Sequence, residues 1–513
     1  MATSSWTGPH RRMTPSLPLP IRKHRPMNRT FVDYYRCPEE FAGCFLDADQ
    51  SGPLGHFRFG ADAICYGSIS KGEVHPSPDG KLHDALQDAV VKRGTVGLSF
   101  DPDQVVNNLR FERYCGGSPR PSLLSGGLAN KLYYLVRPIL GVAVRRHLQK
   151  LRLSDWRSIP FPRWPVDRTV EQVHETTLRL CLQGHDGRRV PFIWFWPKGF
   201  PSCAVVTHDV EAVKGRDFCP ALMDVDENFG IKSSFQLIPE ERYALSPSFV
   251  KTIRSRGFEV NVHDLNHDGR LFASEAKFFD RVLRINHYGS ALGAQGFRSG
   301  ALYRNLSWYG ALEFSYDMSV PNTAHLDPQR GGCCTVMPYF IGKILELTVT
   351  TTQDYSLFYI LNQYSIHLWK SQIAEIMEKH GLASFIVHPD YIVESRTRDT
   401  YKSLLAYLAE LRSEGKIWIA LPREVNEWWR ARSQMKLVRQ GNNWVIEGPE
   451  KDKARIAYAV LDGDRLTYEP SLKYRERPRL REDSDLGYDI KALETHRPRS
   501  NPAQMRSAPQ MIS

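Results

Sequence analysis

From about residue 200 to 432, short apolar runs alternate with longer stretches in which apolar positions recur every three or four residues. The runs predict strands at 203–207, 233–238, 258–262, 294–298, 313–317, 344–350, 383–388 and 416–420. The periodic stretches predict helices near 217–229, 247–256, 274–287, 304–311, 366–380, 400–413 and 422–432. The face of 366–380 that carries Ile366, Trp369, Ile373, Ile376 and Met377 reads as core. Alternation of this kind implies parallel strands covered by helices. Seven or eight such units in ~230 residues predict an α/β fold of the (β/α) barrel type, where reactive groups gather at the ends of strands.

The flanks follow other patterns. Residues 31–195 mix strand-like runs, such as 55–60 and 95–100, with turns and a helical segment at 132–153. They read as an N-terminal mixed α/β region. Pro160, Pro162 and Pro165 forbid helix and make a connector, after which the apolar run 188–197 leads into the barrel at about 196. Residues 433–470 read as a small all-β appendage, with a hairpin around Gly441 and Asn442 and two further strands at 454–461 and 465–468. Residues 471–513 hold few large apolar side chains and read as a disordered tail. Residues 1–30 read as a disordered basic tail, with Arg11, Arg12, Arg22, Lys23, Arg25 and Arg29 and no acidic residue.

Composition sets the outer limits. The 513 residues are 42% hydrophobic and 24% charged, as expected of a globular chain of two or three domains. Nine scattered cysteines without a CxxC pair point to reduced thiols. No apolar region has the form of a secretory signal, and no run is long enough to span a membrane. The nearest candidate, 132–144, is interrupted by Arg137-Pro138; it reads as a packed helix, with an interfacial helix as the sharper alternative. These features predict a cytoplasmic protein, with peripheral membrane contact through 1–30 and 132–153 left open. A net charge of +11, concentrated in the tail, gives no nucleic-acid pattern, and no such partner is expected. The oligomeric state is not legible.

Ionisable side chains fall where the strands end. Asp209 and Glu211 close the first strand and share a side, since alternate residues of an extended chain do. His263 and His267 follow the third, in a His-x-x-x-His spacing that puts both rings on one side of a helical turn. Arg298, Asp317 and His388 end later strands. Imidazole nitrogen and carboxylate oxygen are the ligand set of hydrolytic zinc. His208 points away from Asp209 and reads as core. Asp268 and Asp354 are weaker additional candidates. Tyr303, Trp308, Tyr339 and Tyr391 lie near strand ends, where an aromatic face is as often core as sugar platform.

These residues resemble the motifs of the NodB-like polysaccharide deacetylases, carbohydrate esterase family 4. Thr207-His208-Asp209-Val210 is similar to the family's Thr-Phe-Asp-Asp, and His263-Asp264-Leu265-Asn266-His267 to its His-(Ser/Thr)-x-x-His. Arg298 matches the Arg of the third motif, with Gly300 in the place of a Pro. Asp317 and His388 resemble the Asp and His of the fourth and fifth. The resemblance implies a distorted (β/α) barrel and a divalent metal, zinc most often, held by His263 and His267. It makes Asp209 the general base on the metal's water, with Arg298 holding that carboxylate and His388 as general acid. The implied reaction removes an acyl group, acetyl above all, from an amino sugar of a polysaccharide or lipid-linked glycan precursor. The departure is Val210, where the family has a second Asp as ligand. Glu211 replaces that ligand, or Asp209 is the ligand and another group such as Asp264 the base, or metal is weakly held and catalysis lost. A His-Asp-Val-(Asp/Glu) motif resembles a divergent branch of the family. The competing expectation is a non-catalytic glycan-binding or scaffold protein on the same barrel.

Overall fold

The computed structural model describes residues 28–46, 51–92, 94–116, 142–185 and 189–470. The expected tails at 1–30 and 471–513 and the first part of the 132–153 segment lie almost wholly outside the described residues. Among the described residues no helix is long and apolar enough to cross a membrane.

The N-terminal region has helices α1 (Arg29–Tyr35), α2 (Pro102–Arg110), α3 (Val142–Arg152) and α4 (Thr169–Gly184). Its strands are β1 (Cys44–Leu46), β2 (Gly55–Arg58), β3 (Ile64–Gly67), β4 (Val90–Lys92) and β5 (Thr95–Leu98). They form a sheet in the order β1-β5-β4 and a hairpin β2–β3. α2 begins where local chemistry dictates: the Asp101 carboxylate accepts from the amides of Asp103 and Gln104, and Pro102 occupies the first turn. Phe57, Val96, Leu98, Phe100, Val105, Leu109 and Val170 make a core that also takes in Cys334 from the barrel region.

After β6 (Val190–Ile193) the expected strands appear, several of them shorter than the apolar runs. They are β7 (Cys203–Val210), β8 (Ser234–Leu237), β9 (Glu259–His263), β10 (Gly296–Arg298), β11 (Tyr316–Asp317), β12 (Tyr339–Ile341), β13 (Ile344–Glu346), β14 (Leu382–Val387) and β15 (Trp418–Ile419). Helices α5 (Val213–Asn228), α6 (Pro247–Ser255), α7 (Glu275–Leu292), α8 (His367–Met377), α9 (Ser395–Ser413) and α10 (Pro422–Gln434) lie between or after them. The helix expected at 304–311 is a 3-10 segment, Leu306–Ala311. The strands join one nine-stranded sheet, ordered β12-β13-β11-β10-β9-β8-β7-β14 with β15 also on β7. Every pairing is parallel except β12 with β13. β7 is buried at all eight positions because helices or barrel interior cover both its faces.

The sheet curls without closing through backbone pairing. Across the gap, Thr350 Oγ1 donates to the Leu382 carbonyl and Thr351 Oγ1 to that of Ser384, each at 2.7 Å. Hydroxyls thus satisfy the backbone of β14 where a neighbouring strand would have done so. This seam is the physical form of the distortion that the barrel was expected to carry.

The segment 433–470 does hold its predicted hairpin, β16 (Lys436–Gln440) with β17 (Asn443–Glu447), and its two later strands, β18 (Ile456–Asp462) and β19 (Arg465–Pro470). It also joins a strand that precedes the barrel. β18 pairs antiparallel with β6 over Val190–Ile193, because that strand has an edge whose backbone groups need partners. All nine cysteines are free, as their spacing predicted.

Glu171, in the first turn of α4, is fully buried and ties the N-terminal region to the barrel: Thr335 Oγ1 and the Val336 amide both donate to Oε1. Burial raises its pKa to about 7, against the pull of Thr335 and Arg110. A raised carboxyl pKa stabilises the fold below the unfolded value and loses that contribution as pH climbs through the folded one. Glu171→Gln keeps the accepting oxygen and removes the titration. The expected outcome is equal stability with wild type at about pH 4 and a gain of up to about 3 kcal/mol at about pH 8.5. Thermal unfolding of both proteins at the two pH values checks it.

Candidate metal centre

Strand alternation divides the end of β7 into two sides. His208 and Val210 point into the layer between sheet and helices. Val210 joins Val206, Leu237 and Phe235 in the main core. His208 lies 3.0 Å from Asp226 Oδ2 and 3.1 Å from the Val387 carbonyl, and Tyr401 and Ser233 donate to the same Asp226. His208 is therefore a satisfied buried histidine, as expected. Thr207, Asp209 and Glu211 point the other way, into the mouth of the barrel.

Three imidazoles converge on Glu211. Its Oε1 lies 2.9 Å from His267 Nε2, 3.7 Å from His263 Nε2 and 3.5 Å from His388 Nε2. Asp209 Oδ2 is 3.8 Å from His263 Nε2. The Nε2 atoms of His263 and His267 are buried without a hydrogen-bond partner, although Glu211 Oε1 comes close to both. The ligand atoms of Glu211, His263 and His267 all lie within 4.8 Å of one another. A buried, unpartnered imidazole nitrogen is costly, and two of them facing one carboxylate make up the donor set of a divalent cation. The residues present fit a divalent metal, with Glu211 as the carboxylate of the group.

The surroundings orient these groups. His263 Nδ1 faces the Arg298 carbonyl at 3.1 Å; a carbonyl only accepts, so Nδ1 carries the proton and Nε2 offers its lone pair. His388 is held twice by Asp354: its backbone amide donates to Oδ2 and its Nδ1 to Oδ1, both at 2.7 Å. Arg298 is wholly buried and donates to Asp209 Oδ1 at 2.6 Å, Thr207 Oγ1 at 2.8 Å and the Met318 carbonyl at 2.9 Å. One oxygen of Asp209 is thereby fixed and the other faces the imidazoles.

Charge follows the geometry. Burial pushes the Asp209 pKa up, but Arg298, His263 and His388 outweigh it and leave the carboxyl below its ordinary range. For Glu211 burial is likewise overcome, here by His267, and the pKa falls well below normal. Burial lowers the His388 pKa, yet Asp354 and Glu211 carry it well above the usual imidazole value.

The 263–267 segment is not the helical turn that the spacing suggested. Asp264 and His267 take left-handed backbone conformations, φ 55° and 53°, as do Ala301 and Leu302 in the adjoining loop at 55° and 54°. Such conformations cost about 1–3 kcal/mol each in non-glycine residues and concentrate at functional sites. Asp264, the alternative base, accepts from the amides of Leu265 and Gly300, so its carboxylate braces the loop. Gly300 is required by close approach: a Cβ there would stand 2.5 Å from Asp264 Oδ2 and 3.0 Å from the His267 ring.

Other candidates fall elsewhere. Asp317 accepts from the amide and hydroxyl of Ser319 and is the register partner of Glu346 on β13. Burial raises both carboxyls, Glu346 well above its ordinary range with Asp317 beside it. Arg298 is the cation whose charge offsets part of the rise at Asp317. Asp268 forms a two-pronged pair with Arg281 at 2.7 Å. Tyr339 is buried with its hydroxyl on the Arg110 carbonyl, and Trp308 packs on Phe272 and Phe278. Tyr391 lies beside His388, ring centroids 4.8 Å apart, and continues into Tyr355 and Tyr359. Glu346, Asp390, Arg242, Tyr355 and Tyr359 had escaped sequence reasoning. Asp390, two residues beyond His388, accepts from the Gly215 amide at the start of α5. Arg242 donates to the His267 carbonyl at 2.5 Å. Arg304, just past the Gly300 loop, is clamped by Glu112 of the N-terminal region.

Gly300→Ala is compatible with the backbone but displaces Asp264 and His267. The expected result is an intact fold with zinc affinity weakened about tenfold, the size of effect seen when groups supporting metal ligands move. Competitive zinc titration and thermal unfolding, run together, check it.

No family model matches the chain, and no curated protein does. Several solved structures resemble part of it. A protein from Mycobacterium smegmatis assigned as a polysaccharide deacetylase aligns with 49% of this chain and 98% of its own, at 17% identity and a TM-score of 0.39. The PuuE allantoinase aligns with 46% of this chain and 92% of its own, at 11% identity and a TM-score of 0.38. The Xyl-CE4 domain of a multidomain xylanase from the hindgut metagenome of Trinervitermes trinervoides aligns with 45% of this chain and 92% of its own, at 12% identity and a TM-score of 0.30.

Proposed function

We propose that this protein is a metal-dependent hydrolase that removes an acyl group, acetyl above all, from an amino sugar of a polysaccharide or lipid-linked glycan precursor. The observation that carries the reading is the pair of buried, unpartnered Nε2 atoms on His263 and His267 facing one Glu211 oxygen. Glu211, His263 and His267 are the residues that would hold a divalent ion, zinc by ligand type. When bound, such an ion supplies Lewis-acid polarisation of water and of the amide carbonyl.

The chain's own groups supply the proton transfers. Asp209 Oδ2, the oxygen not engaged by Arg298, is the base that takes a proton from the attacking water. Arg298 positions that carboxylate and keeps it ionised. His388 is the acid: with Nδ1–H fixed on Asp354, its Nε2 points into the site and donates to the departing nitrogen. Asp317, bonded to Ser319, acts on Arg298 through charge alone and takes no part in proton transfer. Support for an N-acetylated sugar comes from the resemblance of the five motifs; Tyr391, with Tyr355 and Tyr359 beyond it, lies beside His388, where an aromatic face could meet a sugar ring.

The test is turnover of an N-acetylated chito-oligosaccharide, followed by acetate release. Wild type loaded with zinc is expected to release acetate, to stop with chelator and to resume when zinc is restored. Asp209→Asn is expected to keep its metal and lose about 10²–10⁴-fold in rate. If Asp209→Asn turns over as fast as wild type, Asp209 is not the base.

A further inference from the structure

We propose that α3 and the connector behind it dock this protein on an anionic membrane surface, with the His388 side of the site next to the lipid. The docking stands without the hydrolase reading; its consequence, that the substrate is a lipid-linked glycan, rests on that reading. α3 turns apolar side chains outward: Leu148 is 39% exposed and Leu151 50%. His147 and Lys150 are exposed between them. Beyond the helix, Trp156 packs against Trp164 with ring centroids 4.7 Å apart, and the Arg157 guanidinium lies 5.0 Å over the Trp156 ring. Both tryptophans are half-buried, and Arg157 and Arg163 are exposed.

The occupant follows from charge. From Arg145 to Arg163 the sequence has Arg145, Arg146, Lys150, Arg152, Arg157 and Arg163 against a single acid, Asp155. Asp155 is itself paired with Arg330. The preceding residues 132–144 carry one charge, Arg137. Exposed leucines among cations, with tryptophans alongside, are the composition of helices that lie in the interface of an anionic bilayer. A polar protein partner would match the cations and leave the leucines in water.

Position ties this surface to the site. Gln149 of α3 is hydrogen-bonded to the Tyr355 hydroxyl, and Arg152 donates to the Pro328 carbonyl at 3.1 Å. Tyr355 is 5.5 Å from Tyr391, whose ring is 4.8 Å from His388. The helix therefore leans on the segment that follows Asp354, at the strand-end face where the imidazoles gather.

Co-sedimentation of the full chain with vesicles tests the docking without any substrate. Wild type is expected to pellet with phosphatidylcholine vesicles containing phosphatidylglycerol, less so in high salt, and not with phosphatidylcholine alone. Leu148→Asp/Leu151→Asp is expected to lower partitioning about tenfold or more. Phe279→Asp/Leu283→Asp, which alters the exposed apolar pair on α7, is expected to leave it unchanged. Should the leucine variant unfold in a thermal scan, Lys150→Glu/Arg157→Glu takes its place with the same expected loss. Wild type that stays in the supernatant overturns the proposal. So does an α3 variant that pellets like wild type, which would assign binding to the basic 1–30 segment, or an equal loss in the α7 variant.

Discussion

A guanidinium sealed inside a protein must be met by acceptors, and Arg298 is met by groups that define the site. The cost of burying such a charge is several kcal/mol unless its hydrogen bonds are made. Here Asp209 and Thr207 accept from Nη1 and the Met318 carbonyl from Nε, so β7, β10 and the end of β11 are locked in one arrangement, while Nη2 is left without a partner. Asp209 cannot rotate away from Arg298 without leaving the charge uncompensated. Its second oxygen is consequently aimed at the imidazoles, and the carbonyl of the same Arg298 sets the proton on His263. One buried cation thus orients the proposed base and a candidate ligand on two strands. The N-terminal region reinforces the same loop from outside through Glu112 and Arg304.

The change at position 210 reads differently once strand geometry is applied. On an extended chain 209 and 211 share a side and 210 does not. Val210 belongs with Val206 and Leu237 in the helix-facing core, where an acid would be desolvated and unpaired. Glu211 is on the correct side, and its longer side chain reaches His263, His267 and His388 together. On the proposed reading the ligand is therefore Glu211, while Val210 belongs to the core.

Much of this was legible in the sequence because it depends on local periodicity. Strand–helix alternation announced the parallel sheet, and ionisable residues at strand ends named Asp209, Glu211, His263, His267, Arg298 and His388. What escaped depends on distant pairing. Glu346 ends a strand as Asp317 does, but only the β11–β13 register brings the two carboxyls together. Asp354 was a weak candidate until β14 placed His388 over it. Arg242 and Glu112 had no periodic signature. The helical turn expected at 263–267 failed because the loop is held by Asp264 on two backbone amides, which favours left-handed conformations over helix. The pairing of β18 with β6 escaped because it joins segments more than two hundred residues apart in the chain.

The most direct measurement is the metal content of the purified protein by mass spectrometry, wild type beside His263→Ala/His267→Ala. A site built from Glu211, His263 and His267 should give about one zinc or similar divalent ion per chain in the wild type and none in the variant. Wild type without metal after zinc has been supplied, or a variant that still holds it stoichiometrically, would contradict the account.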